Sequence, residues 1–367
     1  MMTDTAPFEL TDPTEVPTYA DGPLSRWCKA HLYEARDEVF VRLTLKVIVI
    51  MSLAMIGLHT FFHWALVPVY LALWGWYAAP VILMLHCTMH RRFIRSPRWL
   101  DRAHPYVMTF FFGIPTGYAE HHIGMHHVED NTPEDLSSTM RYRRDSFLHF
   151  LVYFGRFFFL ILVELTLYLR RKRRLTMARR AVVGDLLHQS FIVVTLLVNW
   201  RFGLVVFAFP YFMVRFLMMV GNWGQHAFVN PARKNDGISN SITCINSGYN
   251  QRAFNDGYHV GHHLKATRHW SEMPRDFLDN REMYAREGAV VFEKVDFFLV
   301  SVLLWTGQWK LLARLFVRLD GKERSDEDVI TMLKSRVQPI RVPGPRGQAQ
   351  LTAAARDPSS ATRAACP

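Results

Sequence analysis

The chain has 367 residues, of which 50% are hydrophobic, 14% aromatic and 20% charged, with a formal net charge of +11. Because the charged fraction is ordinary, the apolar residues gather in blocks, and the basic residues flanking those blocks point to an anionic membrane surface. No zinc-finger spacing, RNA-binding aromatic signature or basic-region heptad is present, so nucleic acid is not an expected partner.

Residues 1–30 begin acidic and proline-rich, the reverse of a signal peptide, and are expected to form a flexible segment. A membrane domain is expected over 31–320, followed by a largely disordered tail over 321–367. Cys28, Cys87, Cys244 and Cys366 are scattered and argue for neither a disulfide framework nor thiol chemistry.

A crossing helix needs about 20 mostly apolar residues. Leu43–Phe62 and Trp64–Leu85 both qualify, joined by a minimal turn near His63. Arg26, Lys29, Arg36 and Arg42 precede this hairpin, and Arg91, Arg92, Arg95 and Arg98 follow it, while its turn holds no Lys or Arg. The positive-inside rule then places both outer ends in the cytoplasm. Tyr106–Tyr118 is apolar but too short to cross, and Gly113 and Pro115 break it.

Three further apolar stretches follow: Phe147–Leu169, Ala181–Trp200 and Phe202–Gly221, with the basic run Arg170–Arg180 between the first two. Three crossings would place that run, and the later histidines, on the wrong side. The economical solution is a second hairpin turning at Asn199–Arg201. Phe147–Leu169, which carries Arg156 and Glu164, is then expected to lie in the interface. The fold class expected is an all-α integral membrane protein. It has two transmembrane hairpins, four crossings and a cytoplasmic histidine-rich helical cap.

There are 17 histidines. His86 and His90 are spaced i, i+4 at the end of the second helix, which sets both rings on one face. The stretch "EHHIGMHHVE" supplies His122, His126 and His127. At 100° per residue His126 falls about 40° from His122, so the two share a face while His127 reaches toward a second metal. His121 lies outside this register. "HVGHH" supplies His259, His262 and His263, and "NWGQH" supplies Asn222 and His226.

Neutral imidazole ligates iron, zinc, copper and nickel. Nine histidines exceed a single zinc site and suit two metals with four or five ligands each. The Glu-x-x-His of soluble di-iron bundles and the His-Glu-x-x-His of zinc proteases are both absent.

These boxes, His-x3-His, His-x3-His-His and His-x2-His-His, with Asn-x3-His before the last, resemble the membrane fatty acid desaturase and alkane hydroxylase superfamily. The resemblance runs roughly from Leu43 to Trp270. It implies two non-haem iron ions, O2 as co-substrate, and attack on an unactivated C–H bond of a fatty acyl substrate or membrane lipid. It also implies two electrons from a redox partner. With no His-Pro-Gly-Gly haem motif in the chain, that donor is expected to be a separate ferredoxin or cytochrome b5 type protein. "HVGHH" before Leu264 resembles the third box of acyl desaturases, whereas "HHVEDNTPEDLSS" is closer to the second box of alkane hydroxylases. Desaturation is the expected reaction and hydroxylation the alternative.

Asn222 either caps its helix or, by the family analogy, supports the ligand rings from behind or reaches a metal through water. Asp130, Glu134 and Asp135 either orient ligand rings or form a solvated loop. Arg215 is expected to snorkel, with an acidic headgroup as its alternative partner. His31, His59, His63, His104, His149, His188 and His269 lack partners at ligand spacing and are expected to be surface, interface or capping residues. A metal transporter is the reading from another class; it is disfavoured because no His or acidic cluster falls at mid-membrane.

Overall fold

The computed structural model describes residues 9–233, 236–321 and 324–340. Helix α1 (Pro23–His31) starts with proline in its first turn, where no amide hydrogen bond is lost. Helices α2 (Glu38–Thr60) and α3 (Val67–His90) form the first long hairpin. Next come α4 (Arg98–Phe112), α5 (Tyr118–His121), a π-helical turn over His122–His126, and α6 (His127–Glu129). Helices α7 (Phe147–Arg171) and α8 (Leu175–Val198) pack side by side. The chain then turns through α9 (Trp200–Gly203) and a second π-helical turn, Leu204–Ala208, into α10 (Phe209–Gln225).

Beyond α10 lies a compact cap. It contains β1 (Ile242–Ile245), α11 (His259–Leu264), α12 (Met273–Asp279), α13 (Arg281–Glu287), β2 (Val290–Glu293), α14 (Phe297–Trp305), α15 (Trp309–Leu315) and α16 (Asp326–Arg336). The two strands pair in parallel, Ile242 opposite Val290, so the expectation of an all-α chain is corrected. Both strands have four residues and are almost wholly buried, which leaves no two-residue alternation to read.

Among the described residues, five helical segments are long and apolar enough to cross a membrane: Ala35–Thr60, Trp64–His90, Phe147–Arg171, Leu175–Val198 and Trp200–Gln225. On α2, Leu45, Val49, Leu53 and Ile56 make an exposed apolar stripe at helical spacing, the surface that lipid rather than water accommodates. The tips of the two hairpins meet. The Trp64 and Trp200 rings lie 6.1 Å apart, and His59 and Phe202 lie 5.0 Å apart. The histidines of α3 and α10 occupy the opposite end of the bundle.

Helix α7 behaves differently from the other four segments. Near its start, the Tyr153 hydroxyl donates to the Ser137 carbonyl at 3.1 Å and Phe150 packs on Trp223. Near its end, Leu165 and Leu169 pack against Met125, and Lys172 pairs with Glu129 at 2.9 Å. Both ends of α7 therefore touch the segment around the second histidine box. Its two mid-helix charges neutralise each other, Arg156 pairing with Glu164 at 3.0 Å.

Two expectations at the termini are also corrected. The supposedly flexible N-terminal segment is tied down: Asp12, 4% exposed, accepts from Asn246 N, Asn250 Nδ2 and the Tyr258 hydroxyl at 2.7, 3.0 and 2.7 Å. The tail expected from 321 is helical over Asp326–Arg336. Ser325 and Asp328 form a capping box there, and Val329, Leu333 and Val337 are fully buried. Residues 341–367 lie outside the described residues.

Tight contacts hold the cap to the bundle. At Gly224 an added Cβ would meet the Phe297 carbonyl and lie 2.8 Å from Ser301 Oγ, so only glycine lets α10 approach α14 this closely. Arg144 is fully buried, and its guanidinium donates to the carbonyls of Thr139, Met140, Tyr142, Ala227, Arg336 and Gln338. One side chain thereby joins three chain segments and satisfies the polar groups that a buried loop would otherwise leave bare.

Candidate metal centre

The nine box histidines, far apart in sequence, converge into two groups. His86, His90, His122, His127 and His262 form one; His126, His226, His259 and His263 form the other. Within each group the potential ligand atoms all lie within 4.8 Å of one another. Neighbouring Nε2 atoms are 2.9 Å apart for His86–His262, 3.1 Å for His122–His127 and 3.0 Å for His127–His262. In the second group they are 3.2 Å for His226–His259 and 3.0 Å for His259–His263.

Those spacings fit a metal. Two ligands at right angles on bonds of about 2.1 Å are separated by about 3 Å. The opposite sides of several rings are fixed by acceptors. His126 Nδ1 lies 2.7 Å from Asp135 Oδ2, His263 Nδ1 2.8 Å from Asp130 Oδ1, and His226 Nδ1 2.8 Å from the Asn240 carbonyl. A proton held at Nδ1 by each acceptor leaves a bare lone pair at Nε2. Lone pairs converging at 3 Å repel, and a cation between them reverses the sign of that interaction.

The electrostatics agree with neutral ligands. Burial, reinforced by the neighbouring rings, holds His122, His127, His259 and His262 below the usual histidine range and pushes His226 down to about 3. His126 shifts the other way: burial opposes its charge, but the Asp135 carboxylate outweighs burial and raises its basicity.

The π-helical turn overturns the register expected for the second box. On an α-helical wheel His122 pairs with His126. Here the His127 amide donates to the His122 carbonyl, an i→i+5 bond that widens the turn. His127 returns over His122 in the first group, and His126 is rotated into the second. In α11, by contrast, ordinary i, i+4 spacing sets His259 and His263 on one face, both in the second group, and His262 turns to the first.

His121 stays out of both groups. Its ring is parallel to that of His126 at 6.5 Å, and its Nε2 has no hydrogen-bond partner. Asn222 spends its amide on the Ser137 carbonyl at 2.9 Å and the Tyr153 hydroxyl at 2.7 Å, so it braces α7 against the second box. Of the three loop carboxylates, Asp130 and Asp135 hold rings, while Glu134 pairs with Arg171 and Lys172 at the surface. Arg215 does not snorkel. It is 3% exposed, donates to the Gly113 and Tyr211 carbonyls, stacks on Tyr211 and faces Asp185 at 3.9 Å.

Among the remaining histidines, His63 and His269 cap short helical turns, and His149 accepts from the Arg143 amide. Two partners of the box histidines were missed in the sequence: Asp256, whose Oδ1 is 3.4 Å from His86 Nδ1, and the Asn240 carbonyl. A lone aspartate in a polar loop and a main-chain oxygen carry no sequence signal.

A cavity of about 360 Å³ opens from the histidines into the bundle between α3 and α10. Trp74, Gly75, Ala78, Ala79, Ile82 and Leu83 form its α3 wall, with Leu217, Met218 and Gly221 opposite, and its inner end meets His86, His122, His126 and His259. From His86 to Trp74 the helix rises about 18 Å. An added Cβ at Gly75 would meet nothing within 4 Å, so this position looks onto open space.

Two clusters of imidazoles at the head of an apolar cavity, on helices of membrane length, are the features of a membrane oxidoreductase of the histidine-box class. The chain matches the fatty acid desaturase family over residues 21–295 and belongs to that family. No curated protein and no solved structure matches it.

Proposed function

We propose that the protein is a membrane-bound, O2-dependent desaturase that introduces a double bond into an acyl chain, using two non-haem iron ions. The observation that carries this reading is the placement of both imidazole groups at the inner end of one apolar cavity. Overall, a –CH2–CH2– unit, O2, two electrons and two protons become –CH=CH– and two waters. Bound iron would supply the activation of O2. The chain's own residues hold the rings through Asp130, Asp135 and the Asn240 carbonyl, confine the acyl segment between α3 and α10, and exclude water from the apolar wall.

The proposed topology has four crossings, with α7 in the interface and the histidines on the cytoplasmic face. Support comes from the touching hairpin tips, from α7 meeting the second-box segment at both of its ends, and from the basic residues flanking the histidine end. A separate ferredoxin or cytochrome b5 type donor would bring the electrons to that face.

Hydroxylation is the second reading, favoured by the sequence of the second box. The test is expression with a reductant system, followed by mass spectrometry of the lipid extract. Loss of two hydrogens from an acyl chain is the expected result; gain of one oxygen would convert the assignment to hydroxylase, and no product from any chain would overturn both. Gly75→Phe is expected to fill the far part of the cavity and shift the products toward shorter chains. An unchanged chain-length profile would place the substrate elsewhere.

A further inference from the structure

A second cavity, of about 430 Å³, lies between the end of α3, α4 and the start of α8. Its wall is divided by chemistry. Leu85, Tyr106 and Ile114 form an apolar side, while Arg102, Arg180 and Glu120 bring charge to the same space. Glu120 is only 7% exposed; its own backbone amide donates to its carboxyl, and Arg180 is the cation that acts on it. One backbone donor leaves most of that carboxylate's acceptor positions open to a further donor. Arg102 and Arg180 are both exposed and make no close ion pair among the described residues. Asp101, also on the wall, already accepts from the Ile94 amide at 2.9 Å.

The surroundings place this cavity at a lipid surface. Trp99 and Tyr106 project from α4 at 65% and 58% exposure, the amphipathic aromatics typical of a headgroup layer. Tyr118 lines both this cavity and the apolar one, and its ring is 5.3 Å from that of His122. The two spaces thus share one wall beside the histidines.

Two guanidinium groups outside any close ion pair match a phosphate, and a carboxylate with acceptor positions to spare takes a further hydrogen-bond donor. A primary ammonium supplies that donor, whereas a quaternary one has no N–H to offer. We propose that this cavity binds the phosphoethanolamine headgroup of a membrane glycerophospholipid, with Arg102 and Arg180 on the phosphate and Glu120 on the ammonium. The acyl chain of that lipid then reaches the histidines past Tyr118. This last step rests on the acyl-oxidising function proposed above; headgroup binding does not.

The test is native mass spectrometry of the full-length protein titrated with dioleoylphosphatidylethanolamine and, separately, dioleoylphosphatidylcholine. The ethanolamine lipid is expected to bind about ten-fold more tightly, the worth of one charge-assisted hydrogen bond. Glu120→Gln is expected to bring the two lipids to parity. The double variant R102A/R180A is expected to weaken both by about ten-fold or more. These two positions are exposed and form no close ion pair among the described residues, so that variant tests the site even if Glu120→Gln disturbs the neighbouring box. Equal binding of the two lipids by the wild type, or a preference that survives both variants, would overturn the proposal. Displacement of the lipid by an equal concentration of inorganic phosphate would also overturn it, by showing a free-phosphate site. Vesicles supplied with electrons separate the two levels of the argument. A binding preference without any oxidised acyl product upholds the headgroup site and removes the oxidase function. Equal turnover of both lipids upholds the oxidase and removes the lipid selection.

Discussion

His226→Ala is expected to abolish turnover and, for the two-iron centre proposed above, to lower bound iron from two ions per chain to about one. His226 is fully buried, its Nδ1 is held by the Asn240 carbonyl, and its Nε2 stands 3.2 Å from that of His259. Its loss leaves the second group with three imidazoles and a void where the fourth converged. His121→Ala is the control: a buried histidine next to the second box, but outside both groups. Iron counted by elemental mass spectrometry should remain at two ions in His121→Ala. Full iron in His226→Ala, or loss of iron in His121→Ala, would break the assignment of ligands.

Asp135→Asn should have the next largest effect. The Asp135 carboxylate faces His126 Nδ1 at 2.7 Å, accepts from the Asn131 amide at 3.0 Å, and receives the amide and hydroxyl of Ser137 at 2.7 Å each. An amide has one acceptor oxygen where the carboxylate has two, and its NH2 would face donors. Loss of a buried partner to a ligating imidazole is expected to weaken metal binding at the second group by about 10–100-fold. The metal-free protein should lose roughly 2–3 kcal/mol of stability.

The sign with pH follows from the same contacts. Burial pushes the carboxyl up, but His126 and Ser137 outweigh it and hold Asp135 well below its ordinary value of 3.8. Its contribution is therefore present above about pH 3.8 and fades as pH falls further, so wild type and Asp135→Asn should converge in acid. Chemical denaturation of the metal-free proteins at two pH values measures this. Glu134→Gln, one residue away at the surface, should stay within about 0.5 kcal/mol at both.

Much of this protein is legible in its sequence because both of its strongest signals are local. A crossing-length apolar run needs no partner to be recognised, and the four long hairpin helices fall where the runs do. A histidine box is likewise local, so all nine clustered rings could be named beforehand. What escaped was whatever depends on distant partners or on departures from regular geometry. The sharing of His122, His126 and His127 between two groups turns on one i→i+5 bond that an α-helical wheel excludes. Asp130, Glu134 and Asp135 were equal candidates to orient a ring or form a solvated loop, and only the fold separates the two that hold rings from Glu134 at the surface. The parallel pair of Ile242–Ile245 and Val290–Glu293 joins strands too short to have a period, across more than forty residues.

The bonds from Asp12 to Asn246 and Tyr258 span 234 and 246 positions of the chain. During synthesis, at about 5–20 residues per second, the N-terminal side of that contact waits roughly 10–50 s for its partners. Tyr258 directly precedes His259, so the last histidine box is braced by one of the first segments made. Assembly of the centre therefore waits for the last histidine box: the hairpins can form in order as they emerge, but the site closes only once residues 246–263 have joined the N-terminal segment. A ribosome that stalls before residue 246 leaves α2, α3, α8 and α10 made and the second group of imidazoles with only His126 and His226.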